Sequence, residues 1–144
     1  MAGSTKFIAT DSQSYLFTER EDGMQTIFGD QQLEWIKHEL NQASSDSSIQ
    51  GVVLLMSVSW KSRNKFALKK TLHEKEELSE LIRRLGFNTA SLKKWLVMIQ
   101  SDTHMLAHDS GKFNSYGGFP IFQCSSMDAV PTCSQGGWSS GPFM

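Results

Sequence analysis

Apolar residues along this chain fall into two patterns, continuous runs and stripes at helical spacing. Val52 to Val58, opened by Gly51, is the strongest continuous run, and Leu96-Val97-Met98-Ile99 is a second that stops at polar Gln100-Ser101. Both are short and partly β-branched, as expected for strands covered on both faces. Lys6 to Asp11 and Phe119 to Ser126 are further strand candidates. The latter follows Gly117-Gly118 and carries Pro120, which suits an edge or a strand start. Leu33, Ile36, Leu40 and Ala43 recur at helical spacing, with Trp35 widening the stripe and Asp30 placed as N-cap, so a helix is predicted from Asp30 to Ala43. Leu78, Leu81, Ile82 and Leu85 form one face of a second helix over Leu72 to Gly86, with Gly86 as the residue that ends it. His38 and His73 lie off these stripes and read as exposed or structural histidines.

Strands alternating with helices predict a layered α/β arrangement, because a continuous apolar strand needs helices on its faces. Asp11 to Thr26 lacks periodicity and reads as a surface loop, Ser44 to Ser48 as a linker, and Asp128 to Met144 as Gly, Ser and Pro-rich loop. No internal repeat is evident.

The length of 144 residues suits one domain, and the formal charge of −1 gives no overall basic excess for a nucleic-acid partner. Lys61, Arg63, Lys65, Lys69 and Lys70 make a local basic run ahead of acidic Glu74, Glu76, Glu77 and Glu80, and this charge pattern reads as a solvated face. Cys124 and Cys133 match neither a zinc site nor a C-x-x-C motif, so they could pair or stay reduced, and the compartment is not legible. No run is long and apolar enough to span a bilayer, and there is no positively charged start followed by an apolar segment.

Candidate chemistry concentrates after the Leu96 run, where Asp102, His104, His108 and Asp109 stand within eight residues. Ligands bind at the carboxyl ends of strands in open α/β sheets. Asp102 and His104 are two apart, so a persisting strand conformation sends both side chains to one face, where a carboxylate and an imidazole suit a borderline or hard cation. The alternative is that Asp102 caps a turn and His104 is an ordinary half-buried histidine.

The C-terminal third reads SDTHMLAHDSG, then YGGFPIFQCSSMD, then GGWSSGPF. It resembles the PhoD-like (alkaline phosphatase D) metallophosphatases, which carry G-D-x-H-M-L-A-x-D-x-G, G-G-F-P-V-F-x-A-A-x-L-D and G-G-x-x-S-x-G-P-F segments. Earlier stretches are similar in the same order: FIATD at Phe7 to Asp11, GDQQLEWIKHEL at Gly29 to Leu40, and VVLLMSVSW at Val52 to Trp60.

The resemblance implies metal-dependent phosphoester hydrolysis, with Ca, Fe, Mn or Zn as cofactor and a phosphoester small molecule as substrate. It implies Asp102 and His104 as metal ligands, Asp109 as a further ligand or a residue that orients one, and Trp60 and Tyr116 near the substrate pocket. For Trp60 core packing serves equally well, and Asn114, Tyr116 and Gly117-Gly118 could as well form a turn. His108 falls at a variable position of the pattern and is expected to be exposed.

Departures from the pattern are Ser101 for its glycine, Ser59 for its proline, Gln13 for an arginine, and KSRNKF for the segment expected after Trp60. On this reading residues 1–6 are a disordered lead-in and 7–144 are the C-terminal half of a larger α/β/β/α metallophosphoesterase-like sandwich whose remaining ligands lie in an N-terminal half. A diverged, non-catalytic structural or interaction module is the alternative.

Overall fold

The computed structural model describes residues 4–15, 18–19, 23–60, 71–101, 106–111, 117–124 and 140–143. The fold is α/β, a mixed sheet with two helices among these residues. In chain order the elements are β1 (Ser4–Ala9), α1 (Asp30–Ser45), β2 (Ile49–Met56), α2 (Leu72–Leu85), β3 (Trp95–Gln100), β4 (Leu106–Asp109), β5 (Ile121–Gln123) and β6 (Ser140–Phe143). They assemble into one six-stranded sheet in the order β1-β2-β3-β5-β4-β6. β1, β2, β3 and β5 run parallel, while β4 is antiparallel to both β5 and β6.

Helix stripes and strand runs meet on one side of the sheet. Leu33, Ile36, Leu40 and Ala43 of α1 and Leu78, Leu81 and Ile82 of α2 pack in one core with Ile8, Val52, Leu54, Leu96, Met98 and Ile121. β1, β2 and β3 are successive neighbours, each joined to the next by a helical crossover. Right-handed connections stepping in one direction set both helices on the same side, where α1 and α2 touch. The expectation that the apolar strands are covered on both faces holds in part among the described residues: in β2 Val53 is buried as well as Val52 and Leu54, but β3 and β1 depart from it. Val97 and Ile99 of β3 are only half-buried, and Phe7 of β1 is 66% exposed.

Several boundaries and roles move. β1 begins at Ser4, inside the expected lead-in, because the Ser4 N–H and hydroxyl both donate to the Ser48 carbonyl at 3.0 Å. Gly29, not Asp30, is the N-cap of α1, and its positive φ of 71° is one that glycine adopts without strain. Trp35 does not widen the buried stripe; it is exposed. Gly86 ends α2 in the left-handed conformation as predicted, its N–H donating to the Ile82 and Arg83 carbonyls. The strand predicted over Phe119 to Ser126 is shorter, since Pro120 has no N–H to give and pairing starts at Ile121. Two strands were read as loop: β4, inside the ligand-rich stretch, and β6, inside the Gly/Ser/Pro-rich tail. Glu74 departs from the solvated acidic face and is completely buried, whereas Glu76, Glu77 and Glu80 are exposed.

Gly51 faces Trp95 across β2 and β3, and the indole lies flat on the glycine backbone. A Cβ at Gly51 would come within 1.9 Å of the ring. Gly51→Ala is expected to destabilise the protein by about 1–3 kcal/mol through this overlap. Urea unfolding of Gly51→Ala with and without Trp95→Ala checks the cause: the glycine substitution should cost far less once the indole is gone.

Candidate functional site

The carboxyl ends of β1, β2, β3 and β5 converge on one edge of the sheet, and polar side chains are concentrated there. After β1, the buried Ser12 hydroxyl accepts the Ser57 and Val58 N–H groups at 3.2 and 3.1 Å and lies 2.9 Å from the Ser57 hydroxyl. This ties the end of β1 to the end of β2. Asp11 beside it is exposed, and hydrogen bonding from Ser14, first its side chain and then its backbone, holds the carboxyl below its ordinary value.

At the centre stands Gln100, the last residue of β3. Its Oε1 accepts the Trp60 N–H at 2.6 Å, and its Nε2 donates to Gln123 Oε1 at 2.8 Å and to the Ser59 hydroxyl at 3.2 Å. The ends of β2, β3 and β5 are thus joined through one buried carboxamide. Its backbone carbonyl accepts the Cys124 N–H at 2.8 Å, and the Ser101 hydroxyl donates to the Ser57 carbonyl at 3.2 Å. The chain therefore leaves the central strand from a fixed point.

Trp60 is completely buried and takes the packing role, with its ring centroid 6.2 Å from that of Phe119. The adjacent Lys75 is only 3% exposed; its ammonium donates to the Trp60 carbonyl at 3.1 Å and lies 5.7 Å from the Trp60 ring centroid. Burial pushes the Lys75 pKa down to about 8. The neighbouring carboxylate of Glu74 points elsewhere, accepting the Thr26 hydroxyl and the Ile27 N–H, the latter at 2.6 Å. Thr26 in turn accepts the Gly29 N–H at 2.6 Å, so Glu74 holds the loop that opens α1.

The predicted ligands divide. Asp102, His104 and Tyr116 lie outside the described residues. Asp109 closes β4 on the helix-covered side, paired with Ile121, and its carboxylate is fully buried. Its Oδ1 accepts the Gly111 N–H at 2.9 Å. Gly111 is pressed against the chain at Gly118, whose carbonyl oxygen would lie 2.4 Å from a Cβ there. This placement fits a residue that positions the β4 to β5 loop better than one that holds an ion directly. His108, by parity, projects from the opposite face and stacks on Phe122 with ring centroids 4.7 Å apart. Among the described residues no group of three His, Cys, Asp or Glu side chains could hold a metal, and Asp102 and His104 are not among those residues. Cys124 is an exposed free thiol.

Sequence reasoning missed Ser12, Gln100, Gln123 and Lys75. A single serine or glutamine at a strand end carries no spacing signal, and Lys75 sits inside a charged stretch, H-E-K-E-E, that reads as solvated. The polar stop after the apolar run was the one hint at Gln100.

No protein-family model matches the chain, and neither a curated protein nor a solved structure does. No helix among the described residues is long and apolar enough to cross a membrane.

Proposed function

We propose that this chain contributes Asp102 and His104 to the site of a PhoD-like, metal-dependent phosphoester hydrolase. The observation that carries the reading is the position of the D-x-H-M-L-A-x-D motif. It starts two residues beyond the end of β3, the strand between β2 and β5, at the edge where Gln100, Ser59 and Gln123 lock the strand ends. Preorganised side chains at a strand's carboxyl end suit a ligand site. A sheet whose helices, among the described residues, lie on one side also suits one half of an α/β/β/α sandwich, in which a second sheet covers the other face. A cation held there would polarise a phosphoryl oxygen. In this arrangement the chain's own residues act by position: Gln100 and Ser101 fix where the ligand loop departs, and Asp109 fixes where it returns.

The test is metal binding by the purified chain, titrated with Ca²⁺, Mn²⁺, Zn²⁺ and iron, alongside turnover of a chromogenic phosphomonoester and diester. Binding should be lost in Asp102→Ala and His104→Ala and retained in Asp109→Asn. Turnover by the 144 residues alone should be slight, because Asp102 and His104 make too few ligands for a tight catalytic centre. Binding that neither Asp102→Ala nor His104→Ala weakens overturns the reading.

A second reading, a non-catalytic structural or interaction module, is favoured by the open face of the sheet. Phe7, Trp95 and Phe122 are 66, 42 and 45% exposed there. Failure of every metal to bind, with the fold intact, would select it.

A further inference from the structure

The open face is an ordered surface. Strand register sets its side chains in rows: Trp95 against Gly51, then Phe7, Val53 and Val97, then Ala9, Leu55, Ile99, Phe122 and His108, with Phe7, Trp95 and Phe122 standing out and Val53 between them buried. Leu106, half exposed, extends it on β4. These rows hold no lysine, arginine, aspartate or glutamate. A nucleic-acid partner needs cations against its phosphates, and these rows of described residues offer none.

We infer that this face is a self-association surface, and that in the 144-residue chain by itself its occupant is the same face of a second copy, standing where the proposed sandwich has its second sheet. Three arguments select a copy. A twisted sheet packs best on another sheet of like twist, about 10 Å away and nearly aligned, and a copy supplies that shape. An uncharged face brought onto itself by a two-fold axis has no like charges to bury, and the formal charge of the whole chain is only −1, so long-range repulsion is slight.

The third argument is area. Strands of six, eight, six, four and three residues in β1, β2, β3, β4 and β5, at about 3.3 Å rise and about 4.8 Å spacing, give a footprint of roughly 430 Å² per copy. Side-chain relief at Phe7, Trp95, Leu106 and Phe122 adds to that flat value, and the burial of Gly51 and Val53 subtracts from it. Two copies together thus come close to the roughly 1,000 Å² of a weak specific interface and well short of an obligate one. The association is accordingly a reversible dimer that falls apart on dilution, and it requires no metal.

Analytical ultracentrifugation across a dilution series tests it. At about 100 µM, a concentration that populates a micromolar dimer, the chain should sediment at twice its mass of 16.2 kDa. It should approach the single mass on dilution. Phe7→Glu and Phe122→Glu, made separately, should each weaken the dimer at least tenfold. Both side chains are well exposed, so helix content by circular dichroism should be unchanged, which separates lost association from lost fold. A wild-type chain that stays at the single mass overturns the inference and leaves the face to another protein layer. A dimer that neither substitution weakens overturns it too, by placing the contact elsewhere, for example on the open edge of β1.

Discussion

Replacing Lys75 by methionine is expected to change how stability depends on pH by about 3 kcal/mol, the free-energy equivalent of a pKa lowered from 10.5 to about 8. The cause is burial of an ammonium group whose hydrogen bond goes to the Trp60 carbonyl and whose flank rests on the Trp60 ring. Below the folded value of about 8 both the native and the unfolded chain carry the proton, and the full cost of the buried charge weighs on the native state. Between about 8 and 10.5 the unfolded chain binds more protons than the native one, so stability rises with pH. Above 10.5 both forms are neutral and the cost is gone.

Methionine fills a similar volume without the charge, at the expense of the bond to Trp60, which offsets about 1–2 kcal/mol of the gain. Near neutral pH the variant should therefore be the more stable by about 1 kcal/mol, and by the alkaline end of the window it should be the less stable. Urea unfolding of both proteins through this pH range is the measurement, and the difference between them removes the titration of other groups. A difference that stays constant with pH would show that the amine is not buried as a cation.

The same residue shows how far a sequence reaches into this fold. β1, α1, β2, α2 and β3 were legible because each has one periodicity, continuous or helical, and a recognisable stop. Their alternation was enough for the α/β class. β4 was not legible. LAHD is four residues long, and its imidazole and carboxylate, read as part of a ligand-rich loop, project to opposite faces of a strand, His108 to the open side and Asp109 to the covered one. β6 is hidden in a segment whose Gly, Ser and Pro content argues for loop, and it exists through pairing with Leu106 and His108, a partner distant in sequence. For the same reason the sidedness of the sheet could not be read from the strands alone. Val53 and Val97 look as apolar as Val52 and Leu96, and only the direction of the two crossovers decides which row the helices cover.

The candidate site divides along a similar line, between residues that stand out in the sequence and residues that matter only through the partners the fold brings to them. Asp102 and His104 stand out by type and spacing, whereas Gln100 matters only because β2 and β5 bring Trp60, Ser59 and Gln123 to it. Gln100→Leu is accordingly expected to cost about 3 kcal/mol, a large loss for a residue that resembles none of the candidate ligands. The substitution keeps the backbone carbonyl that accepts the Cys124 N–H, so the β3 to β5 pairing persists. It removes the acceptor of the Trp60 N–H and the donor to Gln123 and Ser59, all in a region closed to water. Each buried group deprived of its partner costs about 1–3 kcal/mol, and the leucine returns part of that by burying an apolar side chain.

The cause can be separated from simple misfit by adding Gln123→Leu. If the loss comes from stranded polar atoms, removing the second carboxamide leaves fewer of them. The double variant should then be less destabilised than the two single losses added together, by about 1 kcal/mol or more. Thermal or urea unfolding of the two single variants and the double variant gives the coupling directly. Additive losses would mean that the carboxamides do not act as a unit in holding the strand ends together.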